Sequence, residues 1–196
     1  RACKREGVKP IIGCEVYVAP HGRTLHQKVH EFDAESRHLV LLCRNEEGYR
    51  NLSYMVSQAF VEGFYIKPRV DMDLLRQHSG GLIALSACLA GEIPKQLMNG
   101  SYDRAKAVAL ELRDIFGEDS FYLELQDHGI KEQALVNQGL LKIHRETGIP
   151  LVCSNDCHYL APEDAESHDI LLCIQTGKLV EDENRMRYEP RNFYVR

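Results

Sequence analysis

Apolar and polar positions along the chain alternate in blocks of two kinds. Short apolar runs, read as strands, fall at residues 9–19, 38–43, 82–86, 121–125 and 151–154. Between them lie stretches with apolar residues at helical spacing. Asn45 is suited to cap a helix with Tyr49, Leu52, Val56 and Phe60 on one side. Asp71 can cap a short helix to His78, and another short helix spans about 91–98. Residues 102–116 form an amphipathic helix with Ala105, Val108, Leu112 and Ile115 aligned. Residues 131–147 form a further helix, and Pro162 opens a last one that Gly177 ends. Residues 1–7 read as the closing turns of a helix, with Gly7 just past its end. Residues 20–37 and 61–70 read as loops.

Strands alternating with helices predict an α/β fold with a parallel sheet or barrel. In such folds ligands gather at the carboxyl ends of the strands. Cys88 follows the run 82–86, His128 follows 121–125, and Asp156 and His158 follow 151–154. Glu15 sits within or near the end of the first run. Asp156 and His158 are two residues apart, so on extended chain they project to one side, and a carboxylate beside an imidazole is a common divalent-metal pair.

Each residue also has a plain structural reading. Asp-x-His can be a polar turn after a buried strand. Glu15 can face solvent on an edge, although a carboxylate in so apolar a run usually has a partner. Cys88 can be a small buried hydrophobe, and His128 a turn residue. His38 stands at the start of its strand, which reads as structural. His21, His26, His30, His78, His144 and His168 read as solvated.

Composition narrows the class. At 44% hydrophobic and 27% charged, with no Trp, the chain is ordinary for a globular domain. A net charge of -5 gives no basic surplus for nucleic-acid binding by this segment. No apolar run approaches the length of a membrane span. Seven scattered Cys without a Cys-x-x-Cys pair point to a cytoplasmic protein without a disulfide framework. A zinc finger from Cys153, Cys157 and His158 is disfavoured, because Cys153 belongs to a strand read as buried. There is no P-loop, dinucleotide fingerprint or Ser-His-Asp order, so any chemistry is expected to be metal-assisted.

Several motifs then align with one family. Lys9-Pro10-Ile11-Ile12-Gly13-Cys14-Glu15-Val16-Tyr17, Asn45-Glu46-Glu47-Gly48-Tyr49-Arg50-Asn51-Leu52, Gly63-Phe64-Tyr65-Ile66-Lys67-Pro68-Arg69, Ala84-Leu85-Ser86-Ala87-Cys88-Leu89-Ala90-Gly91-Glu92, Asn155-Asp156-Cys157-His158-Tyr159 and Leu171-Leu172-Cys173-Ile174-Gln175-Thr176-Gly177-Lys178 resemble the PHP (polymerase and histidinol phosphatase) domain of bacterial DNA polymerase III α subunits. The resemblance runs essentially from end to end.

It implies a distorted (β/α)7 barrel, here incomplete, with the first strands and their His-x-His and Asp-His-Gly motifs absent. Residues 1–177 would be the PHP domain and 178–196 the start of the connection to the following polymerase region. Carried over by motif, the metal ligands are Glu15, His38, Cys88, Asp156 and His158, with Asp156 and His158 catalytic and His128 near the site. The implied cofactors are divalent ions, Zn, Mn or Fe at this site and Mg in the parent's polymerase domain. The implied activity is a metal-dependent phosphoesterase of 3′–5′ exonuclease type within a DNA-directed DNA polymerase. The implied partners are primer-template DNA, deoxynucleotides, a proofreading subunit and other replisome subunits, with no membrane. The segment by itself is expected to bind metal weakly and to hydrolyse little or nothing. A free-standing phosphoesterase of histidinol-phosphatase kind and a non-catalytic metal-stabilised scaffold stand as alternatives.

Overall fold

The structure is a computed structural model that describes residues 1–26, 37–188 and 191–195. The strands are β1 (Gly13–Val18), β2 (Arg37–Cys43), β3 (Arg69–Val70), β4 (Leu82–Leu85), β5 (Phe121–Leu125) and β6 (Leu151–Cys153). The helices are α1 (Ala2–Arg5), α2 (Glu46–Val61), α3 (Met72–His78), α4 (Glu92–Met98), α5 (Tyr102–Phe116), α6 (Lys131–Thr147) and α7 (Ala165–Thr176), the last entered through a 3-10 turn at Pro162–Asp164.

The six strands form one sheet in the order β3-β1-β2-β4-β5-β6. It is mixed, which corrects the expectation of a parallel sheet. β4, β5 and β6 run parallel, as does β3 to β1, but β2 is antiparallel to both β1 and β4. Parallel neighbours need a crossover, usually a helix. Helices bridge β4 to β5 and β5 to β6, whereas the residues described between β1 and β2 include no helix. Two other expectations change. Residues 61–70 hold the short strand β3, and the first strand begins only at Gly13, leaving Ile11 and Ile12 exposed. The expected loop 20–37 falls largely in 27–36, outside the described residues, as does His30.

Alternation along the strands divides the sheet into two faces. Val16, Leu39, Leu41, Ala84, Phe121 and Leu123 are buried and join a core with Met55, Leu75, Val108, Leu112, Leu140 and Ile143 from the helices. Burying each large apolar side chain contributes roughly 1.5–3 kcal/mol, so this helix-covered face is the main source of stability. On the opposite face stand Glu15 and His38, together with the half-buried Val40 and Leu85 and the buried Glu124. β6 is an edge strand, so Cys153 is exposed rather than buried.

α2 is capped as expected, with Asn45 Oδ1 accepting from the Gly48 N–H at 3.0 Å. Its buried face is Gly48, Leu52, Met55 and Ala59, and Tyr49 and Phe60 point outward. Gly48 sits so close to the Gly81 carbonyl that a Cβ there would lie 1.9 Å from its oxygen. That approach turns the small residue inward and the aromatic ones away. Asp71 caps α3 by accepting from the Leu74 N–H at 2.9 Å.

Candidate metal centre

Cys88, His128 and Asp156 each lie three residues past the end of a parallel strand, β4, β5 and β6. The sheet therefore carries all three to one rim. β2 adds a side chain from its start, because it runs the other way. Its register places Val40 opposite Leu85 and His38 opposite Tyr17, so the first residues of β2 flank the turn after β4. The His38 N–H donates to Ala90 O at 3.1 Å, which ties β2 to that turn. On β1, Glu15 pairs with Val40 and lies diagonal to His38 on the same face.

Three donor atoms converge there. His38 Nδ1 is 3.0 Å from Glu15 Oε1 and 3.5 Å from Cys88 Sγ, and one ligand atom from each residue lies within 4.8 Å of the others. A carboxylate, an imidazole and a thiol are the donor types that bind Zn²⁺ and its neighbours. Hydrogen bonds to Cys88 and then Glu15 push the His38 pKa up to about 10, against the opposing effect of its burial. Glu15 and Cys88 thus already hold one positive charge at the point they share.

The turn that delivers Cys88 is unusual. Ala87 has φ 62°, a left-handed conformation that non-glycine residues seldom adopt. Gly91 closes the turn so tightly that a Cβ would stand 2.3 Å from Ser86 O.

Asp156 and His158 form a second group. Asp156 Oδ2 is 3.6 Å from His158 Nε2, and Asp156 also has a left-handed backbone, φ 41°. The structure brings Glu15, His38 and Cys88 together in one cluster and Asp156 and His158 together as a separate pair. Tyr188 feels both groups. Burial pushes its phenol pKa up, and Asp156, Cys88 and Glu15 push it further. His158 packs against Tyr188 (ring centroids 4.5 Å apart), His168 (5.5 Å) and Phe193 (5.7 Å).

His128 is fully buried and is not open to a ligand. Its Nδ1 accepts from the Gln133 amide at 2.7 Å, and its Nε2 donates to Asn155 O at 2.9 Å. Of the histidines expected to be solvated, His21 and His26 are exposed, while His78, His144 and His168 are half-buried. His144 Nδ1 donates to Ile149 O at 2.7 Å, and His168 lies against His158 and Tyr188. Sequence reasoning missed Tyr188, His168 and Phe193. Their one signal was aromatic and imidazole side chains recurring in a stretch otherwise charged.

The PHP domain family matches residues 1–128, a span that includes Glu15, His38 and Cys88. Over all 196 residues the chain is 45% identical to the DNA polymerase III subunit alpha of Treponema pallidum, and also to that of Borreliella burgdorferi. It is 45% identical over 190 residues, 97% of the chain, to the DNA polymerase III subunit alpha of Thermus aquaticus. The chain spans 17%, 17% and 16% of the lengths of these three relatives. With the family match running through the three clustered donors, and relatives aligned onward through Asp156 and His158, the chain belongs to the PHP domain family.

Proposed function

We propose that this chain is the PHP region of a bacterial replicative DNA polymerase α subunit, and that its rim holds divalent cations for phosphoester hydrolysis of 3′–5′ exonuclease type. In this reading the open six-stranded sheet is part of a PHP-type (β/α)7 barrel. Glu15, His38 and Cys88 hold one cation, and Asp156 with His158 supplies the rest of the site. The observation that carries the reading is the convergence on one point of three metal-type donors, from β1, β2 and the turn after β4. When bound, Zn, Mn or Fe lowers the pKa of a coordinated water and stabilises charge on the phosphate.

The protein's own residues do the remaining work. Glu15 supplies negative charge, and both the Cys88 thiol and His38 Nδ1 must give up a proton before they can ligate. Asp156 Oδ2 and His158 Nε2, 3.6 Å apart, are close enough to share a cation. Tyr188 packs against His158 and keeps its phenol neutral, so it can donate a hydrogen bond to a phosphate oxygen.

DNA synthesis on a primer-template from deoxynucleotides, with Mg in a separate polymerase domain, belongs to the full-length polypeptide in this reading. So do contacts with a proofreading subunit and a cytoplasmic location. Among the described residues no helix is long and apolar enough to cross a membrane. Long relatives that match this chain over its whole length favour this over a free-standing phosphoesterase. The test is Asp156→Asn in the full-length polypeptide, assayed on a labelled primer with a mismatched 3′ end. Lost 3′–5′ degradation at unchanged melting temperature supports a catalytic site. Undiminished degradation would leave the metals a scaffolding role.

A further inference from the structure

The left-handed backbone of Asp156 is a conformation that persists only where its surroundings enforce it. Two walls enclose it. One is His128, whose ring is locked by Gln133 and donates from Nε2 to Asn155 O at 2.9 Å. The other is the chain near residue 193. There the Asn155 amide donates to Asn192 O at 3.1 Å and to Tyr194 O at 2.6 Å, and the His158 N–H donates to Phe193 O at 2.8 Å.

The walls are joined to each other. The Phe193 ring stacks on the His128 ring, with centroids 3.9 Å apart and planes 16° from parallel. The Asn192 amide donates to His128 O at 3.1 Å. Phe193 is 4% exposed and His128 not at all. The carbonyl before Asp156 and the N–H of His158 are therefore both fixed, so Asp156 has little freedom to relax.

We infer that His128, Asn192 and Phe193 are positioning residues that hold Asp156 and His158 ready for a cation, and that they do so independently of Glu15, His38 and Cys88. A segment far from the motif in sequence thus sets the occupancy of one half of the site. The inference rests on the metal-centre reading, and it adds that the two halves can be uncoupled. Removing partners that orient metal ligands typically weakens binding about 10- to 100-fold.

The experiment is Co²⁺ titration of the full-length polypeptide. Equilibrium dialysis counts total Co²⁺, and the near-ultraviolet thiolate-to-Co²⁺ band, identified by its loss in Cys88→Ser, follows the first half of the site. Phe193→Ala is expected to weaken the Asp156–His158 class of binding by about 10- to 100-fold while the thiolate band titrates as in wild type. Phe193→Tyr, which keeps the stacked ring, should restore it. Asn155→Ala removes two of the bonds without touching the core, and decides the matter if Phe193→Ala does not fold. Wild-type titration by both Ala variants would overturn the inference, as would equal weakening of both halves. Wild-type protein that binds no Co²⁺ would overturn the metal-centre reading and the inference with it, an outcome distinct from both.

Discussion

Glu124 offers a direct test of how the sheet's open face is built. The residue is 6% exposed and pairs with Val152 in the β5–β6 register. Oε1 accepts from the Ser154 hydroxyl and from the Gln126 amide, whereas Oε2 is buried without a hydrogen-bond partner. Burial pushes the pKa up. The bonds from Ser154 and Gln126 oppose this, Asp156 adds to it, and the Ala87 N–H opposes it more weakly. Because the folded pKa is raised, the carboxyl's contribution to stability is full below its unfolded pKa. It is lost as pH rises through the folded pKa.

Glu124→Gln keeps an oxygen for Ser154 and Gln126 and removes the charge. A buried acceptor without a partner costs about 1–3 kcal/mol, and more when it is charged. The variant should therefore be more stable than wild type by about 1–2 kcal/mol at pH 8. That corresponds to roughly 2–8 °C in Tm for a domain of this size. At pH 4 the difference should vanish. Thermal melts in EDTA at both pH values measure it. A variant less stable at pH 8, or a gain equal at pH 4 and pH 8, would refute the reasoning.

Two other predictions follow from the packing and from His38. Gly48→Ala would put a Cβ 1.9 Å from Gly81 O and 2.6 Å from Gly81 C, atoms that cannot move aside. It should cost at least about 3 kcal/mol by urea unfolding or prevent folding, whereas Asn45→Ala should cost only about 1 kcal/mol. With its pKa raised to about 10, His38 is protonated in the metal-free protein at neutral pH. That proton contributes stability fully present below the unfolded pKa and lost as pH rises through about 10. Cation binding must expel it, so affinity should rise with pH up to about 10, by about tenfold per unit for each proton released. Calorimetric titration of the full-length polypeptide in buffers of different ionisation enthalpy would show the release. A binding enthalpy independent of buffer would argue against it.

Much of the frame was legible in the sequence, and the exceptions have physical causes. α5, α6 and β5 lie where the periodicity places them, because each has an uninterrupted pattern between strong boundaries. The exposed face of α2 was misread because Tyr49 and Phe60 look like core residues. The helix is turned instead by the contact between Gly48 and Gly81, which no periodicity reports. β3 is only Arg69–Val70, too short for any pattern. His38 looked structural because it begins its strand, and the reversal of β2 is what brings it to the rim. The resemblance to the PHP domain named His38 a ligand where the pattern did not, and the structure sets it between Glu15 and Cys88. The bracing residues Asn192 and Phe193 follow no helix or strand spacing, so only the folded chain shows what they touch.

The central claim is that Glu15, His38 and Cys88 form one cation site. It is tested most directly by the divalent metal content of the purified full-length polypeptide. Wild type should be compared with Cys88→Ala and His38→Ala by mass spectrometry after removal of loosely bound ions. At least one Zn, Mn or Fe per wild-type chain, lost in both variants while their circular dichroism stays native, is the predicted result. Equal metal content in all three proteins would contradict it.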